Sequence, residues 1–241
     1  MPAQIAGAAP AHPPPYLCPM TLAARIDHTL LRPDCTEAQI VQLCEEAARH
    51  GFATVCVPPC YVALAAGKLE GTAVGICTVI GFPLGYATSA AKFKEAEVAL
   101  YDGATELDMV INISALKSGK TTAIQDEILD LADLCHVHQA LLKVIIETAL
   151  LSEAEIELAA GLCAAGEADF VKTSTGFASR GASVADVELL RRVLPATMRI
   201  KAAGGIRTRA AAEALVAAGA DRIGSSNSVA LIAESDESTA A

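Results

Sequence analysis

Aromatic residues are scarce in this sequence: it has no tryptophan, and aromatics make up 4% of its 241 residues. Because 53% of the residues are hydrophobic, the core must be built mainly from Ala, Val, Leu and Ile. No apolar run reaches the roughly 18 residues that a membrane span requires. Residues 1–20 also lack the basic start and the continuous apolar stretch of a secretory signal. We therefore expect a cytoplasmic protein.

Positive charge is also in short supply. The chain has 18 Lys and Arg against 28 Asp and Glu, which gives a formal net charge of -10. A charge of this sign argues against nucleic acid and anionic membranes as partners. It does not exclude a phosphorylated metabolite, because a small anion responds to local donors rather than to the field of the whole protein.

Disulfide and metal-ligand motifs are missing. The eight cysteines are scattered without a C-x-x-C pair, so we expect reduced and mostly buried thiols. His136 and His138 lie two apart on a predicted helix and point to different faces, and the other histidines are isolated. We predict no metal site and no cofactor, and we interpret His28 as an ordinary strand histidine on the face opposite Asp27.

The chain does have a regular alternation of short apolar runs with longer amphipathic ones, which is typical of β/α units and a parallel sheet. Eight strands are predicted, at residues 25–29, 53–57, 74–80, 106–112, 141–148, 169–175, 199–203 and 222–225. Four glycines stand where a helix would end in a left-handed residue: Gly51, Gly103, Gly166 and Gly219.

Eight strands, each followed by a helix, within about 220 residues fit a (β/α)₈ barrel of the TIM type. We predict a single barrel domain over residues 21–233, preceded by a disordered Pro/Ala-rich arm at residues 1–20 and followed by a flexible tail at residues 234–241. An open doubly wound sheet is the alternative. It is weakened because no G-x-G-x-x-G follows the first strand.

The stretch DFVKTSTGF, from Asp169 to Phe177, places Lys172 in the middle of an apolar strand. Burying its cation without compensation costs several kcal/mol, roughly, and lowers the lysine pKa instead. A desolvated lysine that loses its proton near neutral pH is a nucleophile able to form a Schiff base with a carbonyl. The alternative is a strand-end lysine that extends to solvent. Lysines on predicted helices, such as Lys92, are interpreted as solvated.

Two further lysines, Lys143 and Lys201, lie inside the strands on either side of the Lys172 strand. Inward-facing lysines on adjacent strands, about 5 Å apart, would converge, and their repulsion and desolvation would depress at least one pKa. Converging ammonium groups need carboxylates, which Asp108 and Asp27 could supply. Asp108 is interpreted as a counter-ion and proton relay, with a strand-edge acid facing solvent as the alternative.

Glycines follow three of the predicted strands, in loops whose backbone N–H groups could bind an anion. The loops after strands 7 and 8 are the usual phosphate site of a TIM barrel. Gly204 and Gly205 follow the seventh strand, Gly224 and Ser226 the eighth, and Gly176 the Lys172 strand. These residues predict a phosphate site.

Eight stretches in chain order carry a resemblance to a known family: RIDHTLLRPD, VCVPP, TVIGFPLG, ELDMVIN, LKVIIET, FVKTSTGF, IKAAGGIRT and RIGSS. Together, from residue 26 to residue 232, they resemble the 2-deoxyribose-5-phosphate aldolase family. The resemblance implies a class I aldolase that reversibly splits 2-deoxy-D-ribose 5-phosphate into D-glyceraldehyde 3-phosphate and acetaldehyde, in deoxyribonucleoside catabolism. It also implies a cytoplasmic homodimer or homotetramer whose partners are these small molecules.

The resemblance also implies roles for single residues. Lys172 looks like the Schiff-base lysine, Lys201 like the neighbour that lowers its pKa, and Asp108 like the proton donor and acceptor. Lys143 and Asp27 match supporting polar positions. Five residues match phosphate contacts: Gly176, Gly204, Gly205, Gly224 and Ser226.

The chain departs from the family pattern at three places. Phe177 stands where some members have a lysine, so phosphate affinity would rest more on backbone groups. Asn227 stands where a serine is usual. The tail AESDESTAA lacks the C-terminal tyrosine of some members, so its proton transfer would fall to water held between Asp108 and Lys201.

Two other functions fit the same barrel. A Schiff-base aldolase acting on another phosphorylated sugar or keto acid would release pyruvate or a triose ketone instead of acetaldehyde. A non-catalytic sugar-phosphate-binding barrel would bind its ligand without forming a covalent adduct. The second is disfavoured because a binding protein has no reason to keep three inward lysines that strain its core.

Overall fold

The computed structural model describes residues 20–233, and in this part of the chain eight parallel strands close into a barrel in sequence order. The strands are β1 (Ile26–Thr29), β2 (Thr54–Val57), β3 (Gly75–Ile80), β4 (Glu106–Val110), β5 (Leu141–Ile145), β6 (Phe170–Lys172), β7 (Arg199–Ala203) and β8 (Arg222–Ser225). Because β1 pairs with β8, the predicted (β/α)₈ barrel is confirmed and the open-sheet alternative is wrong.

Helices follow the strands and surround the barrel. They are α1 (Glu37–His50), α2 (Val62–Leu69), α3 (Ser89–Tyr101), α4 (Ile113–Lys117), α5 (Thr121–Val137), α6 (Glu153–Ala165), α7 (Val184–Val193), α8 (Arg209–Ala217) and α9 (Ser228–Ala233). None of these described helices combines the length and the apolar character needed to cross a membrane. The predicted tail and all but the last residue of the predicted arm lie outside the described residues, so the domain boundaries stay a prediction.

The strands divide the core into two layers. In β4, Leu107 and Met109 pack outward into the large hydrophobic cluster between barrel and helices, whereas Glu106 and Asp108 are buried on the opposite face. This alternation follows from the two-residue period of a strand. The hydrophobic layer supports the fold from outside, and the interior of the barrel is left for charged side chains.

Three strands end earlier than predicted, β4 at Val110, β5 at Ile145 and β6 at Lys172. After β4, the side chain of Asn112 accepts a 3.0 Å hydrogen bond from the Ala115 N–H and caps α4. A polar side chain that bonds the local backbone competes with the sheet ladder. The chain therefore leaves the sheet before the apolar pattern in the sequence runs out.

The glycine prediction is wrong at one helix end. Gly166 has a φ of -90°, and Glu167 takes the left-handed conformation instead, with a φ of 60°. A Cβ at position 166 would lie 2.7 Å from Ile128, so close packing of α6 on α5 explains this glycine. Three other glycines have the positive φ that was predicted: Gly51, Gly103 and Gly219.

One ion pair is buried in the helical layer. Lys92 of α3 has no exposed surface, which contradicts its interpretation as a solvated lysine. Its Nζ donates to the Glu127 carboxylate at 2.8 Å and to the Val110 carbonyl at 2.7 Å, and the Ser89 hydroxyl donates to the other oxygen of Glu127. The pair therefore ties α3 and α5 to the carboxyl end of β4.

We expect Lys92→Met to lower the free energy of unfolding by about 3–5 kcal/mol, because it leaves the Glu127 carboxylate buried without its partner. The exposed pair of Lys94 and Glu97 supplies the control, and Lys94→Met should cost less than about 1 kcal/mol. Urea unfolding at neutral pH measures both. Equal losses in the two variants would show that the buried pair does not stabilise the fold.

Candidate active site

The Asp108 carboxylate lies at the centre of the charged interior. Its Oδ1 is 2.7 Å from the Lys143 Nζ, and its Oδ2 is 2.7 Å from both the Lys172 Nζ and the Lys201 Nζ. The three lysines come from β5, β6 and β7. The predicted convergence of strand lysines on Asp108 is present in the structure.

The strand register explains this convergence. Asp108 is directly beside Lys143 across β4 and β5, and Lys172 is beside Lys201 across β6 and β7. Neighbours in register on a parallel sheet point to the same side, which here is the inside of the barrel. Because β4 and β7 are not adjacent, Lys201 reaches Asp108 across the closed interior.

A second set of charges lies next to the first. The Lys201 Nζ is 2.5 Å from an Asp27 oxygen, and the Lys143 Nζ is 2.6 Å from a Glu106 oxygen. Arg222 of β8 bridges these two carboxylates, with its Nη2 2.6 Å from Asp27 and 3.0 Å from Glu106. With Lys172 and Asp108, four basic side chains therefore face three carboxylates inside the barrel.

Two of the three lysines, Lys143 and Lys201, have raised pKa values. Burial by itself lowers the pKa of Lys201, but attraction to Asp108 and Asp27 raises it above its usual range. The pKa of Lys143 is likewise raised, chiefly by Asp108, against the same effect of burial. The predicted depression of at least one lysine pKa does not occur at these two amines, because each contacts a carboxylate at hydrogen-bond distance.

The carboxylates show the reciprocal effect. Complete burial would raise the pKa of Asp108, yet the three lysines hold it well below the usual range. The pKa of Asp27 is also lowered against burial, first by Lys201 and then by Arg222. Both groups therefore stay ionised at neutral pH, and the charged interior is a set of hydrogen-bonded ion pairs.

Of the three lysines, Lys172 alone lines the open cavity at the carboxyl ends of β6, β7, β8 and β1. The cavity has a volume of about 340 Å³, within the range of small-molecule sites. Lys143 and Lys201 are fully buried behind it. The five residues predicted to contact phosphate also line this cavity: Gly176, Gly204, Gly205, Gly224 and Ser226.

The glycines of the cavity allow its loops to approach each other closely. Gly204 has a φ of 87°, and a Cβ there would lie 3.0 Å from the Gly181 Cα and 3.2 Å from the Gly176 Cα. The loops after β6 and β7 therefore pack backbone against backbone. Gly224 belongs to β8 itself, where a Cβ would lie 3.2 Å from the Lys201 Cε.

The family model for DeoC/LacD family aldolases matches residues 21–230 of the chain. The chain belongs to this family. It is 50% identical to a deoxyribose-phosphate aldolase of Rhodospirillum rubrum. This alignment spans 222 residues and covers 92% of each chain. The chain is 49% identical over 211 residues to one of Geobacillus sp., covering 88% of this chain and 94% of the relative.

A solved structure of this family has the same fold. The tetrameric deoxyribose phosphate aldolase of Aeropyrum pernix superposes with a TM-score of 0.84 at 38% sequence identity. The match covers 90% of this chain and 92% of that one. The barrel described above is therefore the fold of a DeoC/LacD aldolase.

Sequence reasoning missed Cys77 and Arg222, which belong to the charged cluster inside the barrel. The Cys77 thiol donates to Asp108 Oδ1 at 3.1 Å and lies 3.3 Å from the Lys143 Nζ, and burial raises its pKa so that it stays neutral. Arg222 was missed although it lies two residues before Gly224 on the same strand face. The two-residue period that singled out Lys172 could have found Arg222, because both are cations inside a strand.

Two groups of ligand-type atoms lie inside the barrel. They consist of Cys56, Cys77 and Asp108, and of Asp27, Cys77 and Glu106, with the atoms of each group within 4.8 Å of one another. Four of these five residues, Asp27, Glu106, Asp108 and Cys77, contact the ammonium and guanidinium groups that already neutralise this region. A divalent cation would have to displace those groups, so the donor sets do not fit a metal ion. The predicted lack of a metal site stays a prediction.

We expect the free energy of unfolding to fall as pH is lowered from about 5 to about 2. Asp27 and Asp108 have depressed pKa values in the folded state, so their contribution is complete above the ordinary carboxyl pKa and is lost as pH falls through the folded values. Urea unfolding across this range measures the slope.

The variant Asp108→Asn should flatten that pH slope, because it removes one of the two carboxylates. Asp126→Asn, at an exposed position of α5, is the matched control and should leave the slope near that of the unaltered protein. A slope unchanged by Asp108→Asn would contradict the assignment of acid sensitivity to the buried network.

Proposed function

We propose that this chain is a class I aldolase that cleaves 2-deoxy-D-ribose 5-phosphate reversibly to D-glyceraldehyde 3-phosphate and acetaldehyde. The observation that carries the proposal is the position of Lys172, which lines the open cavity while its Nζ lies 2.7 Å from Asp108. Lys143 and Lys201 are sealed from the cavity. The relatives from Rhodospirillum rubrum and Geobacillus sp. are deoxyribose-phosphate aldolases, which supports the choice of substrate.

In the first step, the unprotonated amine of Lys172 adds to the C1 aldehyde of the open-chain sugar. The carbinolamine then loses water and becomes a protonated imine. Asp108 accepts the proton that Lys172 releases, and the hydrogen bond between their oxygen and nitrogen supports this role. Asp108 then returns this proton to the carbinolamine hydroxyl as water leaves, while Lys201 stays charged in our proposal and keeps its hydrogen bond to the same Asp108 oxygen.

Carbon–carbon bond cleavage follows from the positive charge on the imine. A water molecule held by Asp108 takes the proton of the C3 hydroxyl, the C2–C3 bond breaks, and its electron pair moves into the imine to give an enamine on Lys172. D-Glyceraldehyde 3-phosphate leaves at this stage. Protonation of the enamine at C2 and hydrolysis then release acetaldehyde and restore the amine.

The sugar phosphate would occupy the part of the cavity that the glycines line. We propose backbone N–H groups of Gly176, Gly204 and Gly205, with Gly224 and Ser226 nearby, as its donors. Arg207 and Arg32 line the same cavity and add positive charge at its wall.

We expect borohydride reduction in the presence of acetaldehyde to leave one ethyl group on Lys172. The variant Lys172→Ala should lose both this adduct and the cleavage activity, whereas Lys68→Ala on α2 is the matched lysine control and should keep both. Peptide mass spectrometry identifies the modified residue. A Lys172→Ala protein that gains the adduct in full yield would end the assignment.

The products decide among related functions. Acetaldehyde released with D-glyceraldehyde 3-phosphate supports the proposal, whereas pyruvate or a triose ketone would identify an aldolase with another substrate. Binding of the sugar phosphate without a trapped adduct would identify a non-catalytic barrel. A coupled assay for each product, run on the same preparation, separates these outcomes.

The variant Phe177→Lys should strengthen binding of the phosphorylated sugar. Phe177 is half-exposed at the cavity wall and contacts the Phe82 ring edge-on at 5.3 Å between centroids. A lysine there would add one partly solvated ion pair, so we expect KM to fall about two- to fivefold. Phe177→Leu is the control for loss of the ring, and an equal fall in KM for that variant would contradict a charge effect.

We further propose that the enzyme works in the cytoplasm as a homodimer or homotetramer. The buried free thiols Cys44, Cys135 and Cys163 suit a reducing compartment. The Aeropyrum pernix relative is a tetramer, which supports self-association. Light scattering on the purified protein measures its mass in solution.

A further inference from the structure

His28 of β1 lies on the outer face of the barrel wall, opposite to Asp27, as the strand pattern predicted. It is 4% exposed and stands in register beside Ser225 of β8. Its ring packs edge-on against Phe52, with 5.1 Å between centroids. The side chain is therefore buried between the wall and the helices, away from the Asp108 network.

Both ring nitrogens of His28 have polar partners. The Nδ1 lies 2.9 Å from the Ser228 hydroxyl, and the Nε2 lies 2.8 Å from a carboxylate oxygen of Glu46 on α1. Ser228 itself is fully buried at the start of α9. An apolar side chain at position 28 would leave the hydroxyl and the carboxylate without this partner.

Ser228 connects His28 to the loops of the cavity. Its hydroxyl donates to the Ser225 carbonyl at 3.0 Å, and the Ser225 hydroxyl donates to the Ile206 carbonyl at 3.0 Å. The Asn227 N–H donates to the same Ser225 hydroxyl at 3.0 Å, and the Asn227 amide donates to the Arg207 carbonyl at 3.2 Å. These bonds join the loop after β7 to the loop after β8.

We propose that His28 is a positioning residue for phosphate binding, which acts from outside the barrel. Its imidazole holds Ser228, and through Ser228 and Ser225 it holds the two loops whose backbone groups face the sugar phosphate. This inference rests on the proposed function. It goes beyond it by assigning part of the phosphate affinity to a residue that does not touch the substrate.

The location of His28 predicts which kinetic constant it controls. Asp27 points into the barrel toward Lys201, whereas His28 points away from it, so loss of the imidazole leaves the Schiff-base chemistry in place. The loops after β7 and β8 would become less ordered. We therefore expect weaker binding of the phosphate and little change in the rate of bond cleavage once the sugar is bound.

Three variants distinguish the contribution of the Nδ1 contact with Ser228 from that of the Nε2 contact with Glu46. His28→Asn places an amide near the former Nδ1 and can still contact Ser228, whereas His28→Gln places one near the former Nε2 and can contact only Glu46. Ser228→Ala removes the hydroxyl and leaves the His28 contact with Glu46. Ser152→Ala removes a helix cap on α6, far from the cavity loops, and controls for a general loss of stability.

The measurements are kcat and KM for 2-deoxyribose 5-phosphate and for unphosphorylated 2-deoxyribose, together with the Kd for inorganic phosphate from isothermal titration calorimetry. His28→Gln and Ser228→Ala should raise KM for the phosphorylated sugar and the Kd for phosphate on the order of fivefold. His28→Asn should remain within about twofold of the unaltered protein, and kcat/KM for 2-deoxyribose should hold in all three.

Other outcomes would overturn the inference. Equal losses for both sugars, or the same loss in Ser152→Ala, would show that His28 only stabilises the fold. An unchanged phosphate Kd in Ser228→Ala, or no phosphate binding by the unaltered protein, would remove the proposed link. If the unaltered protein cleaves neither sugar, the proposed function fails, and the calorimetric comparison of phosphate affinity still decides the role of His28.

Discussion

A single buried carboxylate, Asp108, holds three lysines together inside the barrel. Each ammonium would be costly to bury alone, and removing one partner from such a group leaves an uncompensated charge. Attraction at 2.7 Å offsets burial strongly enough to depress the pKa of Asp108 and to raise that of Lys201. The proposed Schiff-base chemistry would depend on this arrangement, because it keeps Lys172 in contact with a carboxylate.

The closed barrel makes such a charged interior possible. Outward residues such as Leu107 and Val144 join the hydrophobic layer under the helices, which stabilises the fold. Closure also brings together side chains from strands that are not neighbours, as with Asp108 of β4 and Lys201 of β7. An open sheet with the same strand sequences would leave these two groups far apart.

The strand pattern found most of the site because lysines in apolar strands are conspicuous. It did not find Cys77, because a cysteine in an apolar strand is indistinguishable from other core residues in the sequence. Its contact with Asp108 is visible only in the structure. It also took Lys92 for a solvated helix residue, although Glu127, thirty-five positions away in the chain, buries it in an ion pair. In both cases the partner comes from another element, and no local pattern specifies it.

By itself, the sequence determined the barrel, the eight strands, the inward face that carries Lys143, Lys172 and Lys201, and the glycine loops that follow. Hydrophobic period and residue type are local properties, so they can be read along the chain. Only the tertiary structure decided that Lys172 faces the cavity and that the pKa of Lys201 rises. It also revealed that His28 contacts Ser228 at the start of α9, next to the loop after β8. These features depend on distances between atoms of separate strands and helices, which the closed barrel and the helices packed on it set together.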